Sequence, residues 1–112
     1  TEECERWALR SLEFAYDCGV ECCALIPTRA GDGVMPQLTR AGLVPQADIY
    51  ALERVFDVGM RSRRGRLFVD TWDLDSMLTC STCAADRKRR IQRMNDEQQV
   101  MPRTDCARCG VT

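Results

Sequence analysis

The stretch that decides the fold is Gly19-Val20-Glu21-Cys22-Cys23-Ala24-Leu25-Ile26-Pro27. Val20 to Ile26 is a short, nearly continuous apolar run, bounded by a glycine and a proline. Such a run fits a strand buried on both faces, as in a parallel sheet. Before it, Cys4, Trp7, Ala8, Leu12, Ala15 and Tyr16 recur at three- and four-residue spacing, which predicts an amphipathic helix over residues 2–18. Gly19 ends that helix, because glycine enters the left-handed region without strain. Beyond Pro27, Val34 to Ala41 reads as a short helix closed by Gly42. Ile49, Leu52, Val55, Phe56 and Met60 then form the apolar face of a helix over about 47–61, with Gly59 a mild weakness near its end. Leu67-Phe68-Val69 is a second short strand. The order helix, strand, helix, helix, strand predicts an α/β fold with a parallel pair joined by a right-handed crossover. Two strands alone make a poor sheet in water. The unit is therefore expected to be the last part of a larger α/β protein, and the absence of an initiating methionine agrees with that expectation.

The strongest chemical signal lies downstream, in Cys80-Ser81-Thr82-Cys83 and Cys106-Ala107-Arg108-Cys109. A two-residue gap lets both sulfurs of a knuckle turn toward one point, and two knuckles supply four thiolates. Four thiolates match the tetrahedral site of Zn²⁺, with Zn–S distances of roughly 2.3 Å. The 22 residues between the knuckles slightly exceed the usual spacing of ribbon-like zinc sites. With no histidine in the chain and no further ligand nearby, the site reads as closed, hence structural. An iron–sulfur cluster is the first competitor for four cysteines, and a redox dithiol the second. Between the knuckles, Ala84 to Asn95 reads as a basic helix with Ile91 and Met94 inward.

Charge is balanced overall, at a formal net −1, but unevenly spread. Residues 1–60 carry ten acids against five bases, whereas residues 61–93 carry nine bases against four acids. That asymmetry points mildly to an anionic partner beside the metal site. No apolar run is long enough to cross a bilayer, and no export signal precedes the first helix. Eight cysteines without such a signal favour a reducing compartment and a metal site over a disulfide scaffold, so a cytoplasmic location is expected. Cys4, Cys18, Cys22 and Cys23 read as small buried hydrophobes, not as a second metal site. Adjacent Cys22 and Cys23 on a strand point to opposite faces and cannot easily share an ion.

Three further groups are candidates for binding. Thr28, Arg29, Gly31 and Gly33 follow the first strand at its carboxyl end, where parallel α/β folds place ligands, although an ordinary loop with a solvated arginine explains them equally well. Asp70, Trp72 and Asp73 hold the equivalent place after the second strand. The plainer account makes Trp72 core, or a seat for the cysteine module, and Asp73 a helix cap before Ser76. Arg87, Arg90 and Arg93 fall on one helix face, with Lys88 and Arg89 beside them, as a phosphate-tracking helix would have them. The commoner explanation is a solvated face that partly satisfies Asp86, Asp96 and Glu97. No aromatic residues interleave the run, so a stacking platform for single strands is missing.

Taken together, Leu25-Ile26-Pro27-Thr28-Arg29, Gly31-Asp32-Gly33, Asp70-Thr71-Trp72-Asp73-Leu74, the two knuckles, Arg87-x-x-Arg90 and Met94-Asn95 resemble the C-terminal part of a group of radical S-adenosylmethionine proteins. The resemblance covers about residues 8 to 110. It implies a partial parallel barrel, and a [4Fe–4S] cluster on an upstream Cys-x-x-x-Cys-x-x-Cys that cleaves S-adenosylmethionine to a radical. No such triplet occurs here: Cys18, Cys22 and Cys23 have its first gap but not its second. The cluster and S-adenosylmethionine are thus expected only in a longer protein, and no activity in this chain alone. The resemblance also turns the end of the first strand, with Thr28, Arg29, Gly31 and Gly33, toward S-adenosylmethionine or substrate. Expected units are an α/β portion over 1–76 and a zinc-ribbon-like four-cysteine module over 77–112. Expected partners are the N-terminal remainder of the same protein, a second copy through the exposed sheet edge and, on the alternative reading as a free-standing zinc module, nucleic acid or an acidic protein.

Overall fold

The computed structural model describes residues 2–27 and 48–109. Within them, three helices surround a two-stranded parallel sheet: α1 (Glu2–Asp17), β1 (Cys22–Leu25), α2 (Ile49–Arg61), β2 (Arg66–Val69), a 3₁₀ turn at Leu74–Met77, and α3 (Ala84–Glu97). The mixed α/β class and the parallel pairing match expectation, with Cys22 opposite Arg66 and Leu25 opposite Val69. Gly19 has φ +94°, the left-handed conformation that stops α1. The helix expected over Val34–Ala41, and Thr28, Arg29, Gly31 and Gly33, lie outside the described residues.

Helix α2 forms where its pattern places it. Asp48 caps it by accepting the Ala51 N–H at 2.7 Å. Ile49, Leu52, Val55, Phe56 and Met60 are all buried, as the spacing predicts. Gly59, a weakness in the helical pattern, proves to be a point of close approach. A Cβ there would lie 2.7 Å from a Leu67 methyl and 3.0 Å from a Leu12 methyl, so glycine lets α2 press onto both β2 and α1.

One apolar cluster joins Leu12 and Tyr16 of α1, the α2 face, Leu67 and Val69 of β2, Leu74, and Ile91 and Met94 of α3. It runs across the boundary expected at residue 76, so the cysteine-bearing segment is built onto the α/β portion through a shared core. Tyr16 adds a polar tie, its hydroxyl donating to the Arg66 carbonyl at 2.9 Å.

Two expectations fail here. β1 is not buried on both faces: Cys23 and Leu25 are half-buried against the core, while Cys22 and Ala24 on the opposite face are exposed. The upstream cysteines are not buried either. Cys18 and Cys22 are exposed and Cys4 and Cys23 half-buried.

The far edge of β2 is closed by side chains. Asn95 of α3 accepts the Val69 N–H at 2.8 Å and donates to the Val69 carbonyl at 3.0 Å. Gln98, just past α3, does the same for Leu67 at 3.0 and 2.9 Å. Two amides thus satisfy the outward-facing backbone groups that a neighbouring strand would otherwise take. Replacing Asn95 with the near-isosteric leucine strands a donor and an acceptor at once. The Asn95→Leu protein should lose about 1–3 kcal/mol of stability in urea denaturation; a change under about 0.5 kcal/mol would class the contact with ordinary surface substitutions.

Candidate metal centre

The two knuckles meet. Cys80, Cys83, Cys106 and Cys109 bring their sulfurs within 4.8 Å of one another, and no other such group exists among the described residues. Cys80 and Cys106 Sγ are 3.9 Å apart, Cys83 and Cys109 Sγ 3.6 Å. A tetrahedron with bonds of roughly 2.3 Å has edges of about 3.8 Å, which these two separations match, so the four sulfurs stand close enough to share one ion. The chain can therefore hold a metal ion at this point.

Local structure explains the placement. The first knuckle is a turn, with the Ala84 N–H bonded to the Cys80 carbonyl at 2.9 Å, and Cys83 is the N-terminal cap of α3. The positive end of the α3 dipole thus faces the sulfurs and favours their ionised form. Each knuckle then treats its two sulfurs differently. The first sulfur of each accepts backbone N–H groups: Cys80 from Thr82 and Cys83, Cys106 from Arg108 and Cys109. The second sulfur of each is served by a side chain from a helix. Arg87 Nε donates to Cys83 Sγ at 3.1 Å, and the Tyr50 hydroxyl is bonded to Cys109.

The sulfurs share protons unequally as a result. The Cys80 thiol is lowered to about 6, first by the hydrogen bond from Cys109 and then by the Cys83 backbone N–H. Cys106 is lowered too, through the Cys109 backbone N–H. Cys109 moves the other way, up to about 12. The Tyr50 hydrogen bond favours its thiolate, but donation to Cys80, burial and the neighbouring sulfurs outweigh that. Tyr50 in turn is pushed up to about 12, chiefly because its hydroxyl is held by Cys109. A bound divalent ion would displace the remaining protons, since only thiolates ligate.

The arginines of α3 correct the reading of a single outward basic face. Arg87 is 1% exposed and Arg90 5%, and both are spent internally. Arg87 Nη1 pairs with Glu53 at 2.8 Å, while Arg90 Nη2 pairs with Asp57 at 2.9 Å and also donates to the Met101 carbonyl at 2.9 Å. Arg103 approaches Asp57 from outside, at 3.5 Å. Only Arg93 of the three faces solvent, beside Glu97 at 3.1 Å, and exposed Arg89 sits by Asp86 at 3.2 Å.

At the end of β2, the Asp70 carboxylate accepts the Trp72 N–H at 2.9 Å, closing a local turn. Trp72 is 71% exposed and is not part of the core. Asp73 occupies the cap position before Leu74 in a left-handed conformation, φ 61°, and its side chain makes no capping hydrogen bond; Ser76 donates to its carbonyl instead.

Sequence reasoning missed Tyr50, Glu53 and Asp57. The signal was available: two acids of α2 fall within its apolar arc, at positions that burial would forbid without partners. Comparison with protein-family models, with curated proteins and with solved structures found no match.

Alkylation at neutral pH reads the site directly. In metal-free protein Cys80, held as thiolate, should react well before Cys109. Added zinc should protect all four quartet cysteines while exposed Cys18 and Cys22 stay reactive. Mass spectrometry of the digested protein checks this, and equal labelling of the quartet with and without zinc would contradict it.

Proposed function

We propose that the cysteine quartet holds a structural zinc ion, and that the chain is the zinc-stapled C-terminal part of a larger enzyme resembling the radical S-adenosylmethionine proteins. The observation that carries the zinc reading is the sulfur spacing. A four-iron cube needs each thiolate on a separate iron, and hence a wider spread of sulfurs than 4.8 Å. Four protein ligands leave no open position, which suits folding and not catalysis. The module is ribbon-like in its paired knuckles, with α3 between them. Its role is to fix Cys106–Cys109 against the start of α3 and to position the substrate-facing edge of the barrel.

The larger-enzyme reading rests on the motif resemblance, and the asymmetry of the sheet supports it. β2 is sealed by Asn95 and Gln98 as a terminal strand would be, whereas β1 meets no strand on its other edge among the described residues. Further parallel strands of a partial barrel fit on the β1 side, supplied by the N-terminal remainder of the protein or by a second copy. The [4Fe–4S] cluster and S-adenosylmethionine belong to that remainder, and Asp70, Trp72 and Asp73, which follow β2, fall on the ligand side that the resemblance implies. No chemistry is assigned to this chain alone. Among the described residues no helix is long and apolar enough to cross a membrane. Reduced thiols at a zinc site fit the cytoplasm. A nucleic-acid surface on α3 draws little support, since Arg87 and Arg90 are consumed internally and Lys88, Arg89 and Arg93 each lie beside an acid.

Elemental analysis of protein purified without added metal should give one zinc per chain and no visible absorption. A strong chelator should then melt the C-terminal segment, seen as new proteolytic cleavage after about residue 98, because binding at such sites supplies on the order of 10 kcal/mol of folding free energy. Iron with a broad visible band would replace zinc by an auxiliary cluster, and absence of any metal would overturn the reading.

A further inference from the structure

Resting on the metal reading, the geometry points to Arg87 as the positioning residue of the centre: a buried guanidinium that fixes one ligand sulfur and joins the metal to the α2–α3 contact. The four sulfurs are held unequally. Backbone N–H groups hold Cys80 and Cys106, so those two are oriented by their own turns. Cys83 depends instead on Arg87 Nε, at 3.1 Å.

Arg87 has no freedom to do otherwise. It is 1% exposed, its Nη1 is fixed by Glu53 at 2.8 Å, and its guanidinium lies 4.9 Å from the centre of the Tyr50 ring. Tyr50 is bonded in its turn to Cys109, the other sulfur served by a side chain from outside the quartet. One stacked pair, with Tyr50 on α2 and Arg87 on α3, therefore reaches both second cysteines of the knuckles. The planar guanidinium suits this, because its donors leave in fixed directions and serve a sulfur and a carboxylate together. A donor aimed at a ligating thiolate drains charge from it and fixes its direction, as partners of ligands do at metal sites generally. The buried positive charge also offsets part of the net negative charge that four thiolates retain around a divalent ion.

An ordinary buried ion pair would look similar in burial and distance to Glu53, so the test must separate the two roles. Arg87→Met alone strands Glu53 and can unfold the chain for that reason. The decisive variant is Arg87→Met combined with Glu53→Gln, which removes both buried charges. Zinc affinity is read by competition with a chromophoric chelator, and the thiolate-to-metal absorption band is read after cobalt substitution. The double variant should fold, bind zinc roughly ten- to hundredfold more weakly, and show a shifted cobalt band. Wild-type affinity and an unshifted band in the double variant would reduce Arg87 to a partner of Glu53 and overturn the inference. A second measurement needs no variant. With NMR-active cadmium in the site, the Arg87 Nε–H signal should show scalar coupling to the metal through the sulfur, and its absence overturns the inference even where the variants do not fold. Wild-type protein that binds neither zinc nor cadmium sinks the metal reading itself, a result distinct from either of these.

Discussion

The structure depends on two buried ion pairs that cross between α2 and α3. Glu53 and Asp57 lie within the apolar arc of one helix, Arg87 and Arg90 on the inner face of the other, and all four are nearly inaccessible. A buried charge without its partner costs several kcal/mol, so neither helix can bury this face alone. The pairing thus fixes which surfaces of α2 and α3 meet. Because Arg87 continues to Cys83 and Arg90 to the carbonyl of Met101, the same contact places both ends of the cysteine module. Helix packing and ligand placement are one arrangement here, not two.

That arrangement accounts for how a segment with so little apolar material holds its shape. Ile91 and Met94 are its fully buried contribution to the core, with Val100 and Met101 partly buried against it. Much of the rest that holds residues 80–109 is polar or sulfur: the amides on β2, the arginines on α2, and the four cysteines. The buried pairs are not a strong source of net stability, since hydrophobic replacements of similar volume often do as well. Their value lies in direction, because Arg87 must point at a sulfur and a carboxylate simultaneously. Glu53 pays part of this by burial, which raises its carboxyl above the ordinary range against the pull of Arg87.

Much of this was legible in the sequence, and the limits are physical. The apolar faces of α2 and α3 follow from period alone, and the strands from short apolar runs between turn residues. The four cysteines needed only spacing. Trp7 belongs to the predicted α1 stripe yet lies mostly in solvent, because α1 packs chiefly through Leu12 and Tyr16 near its C-terminal half. Arg87 and Arg90 misled for a related reason. A helical wheel shows that charges share a face, but not whether another helix brings opposite charges to meet them. Glu53 and Asp57 held that answer some thirty residues upstream, and only the tertiary contact connects the two. Asn95 and Gln98 gave no signal of this role, since an amide that imitates a strand looks like any polar residue near a helix end.

Those two amides have a consequence for solubility. An open strand edge is a template for aggregation, and proteins blunt such edges with charge, proline or a covering element. β2 carries none of the usual blunting residues at Leu67 and Val69; its protection is borrowed entirely from α3. Should α3 detach, as when the cysteine segment that anchors its first turn lets go, a short apolar strand would be bared with every outward backbone group unpaired. Integrity of the cysteine-bearing end is then also what keeps the β2 edge from recruiting strands of other molecules.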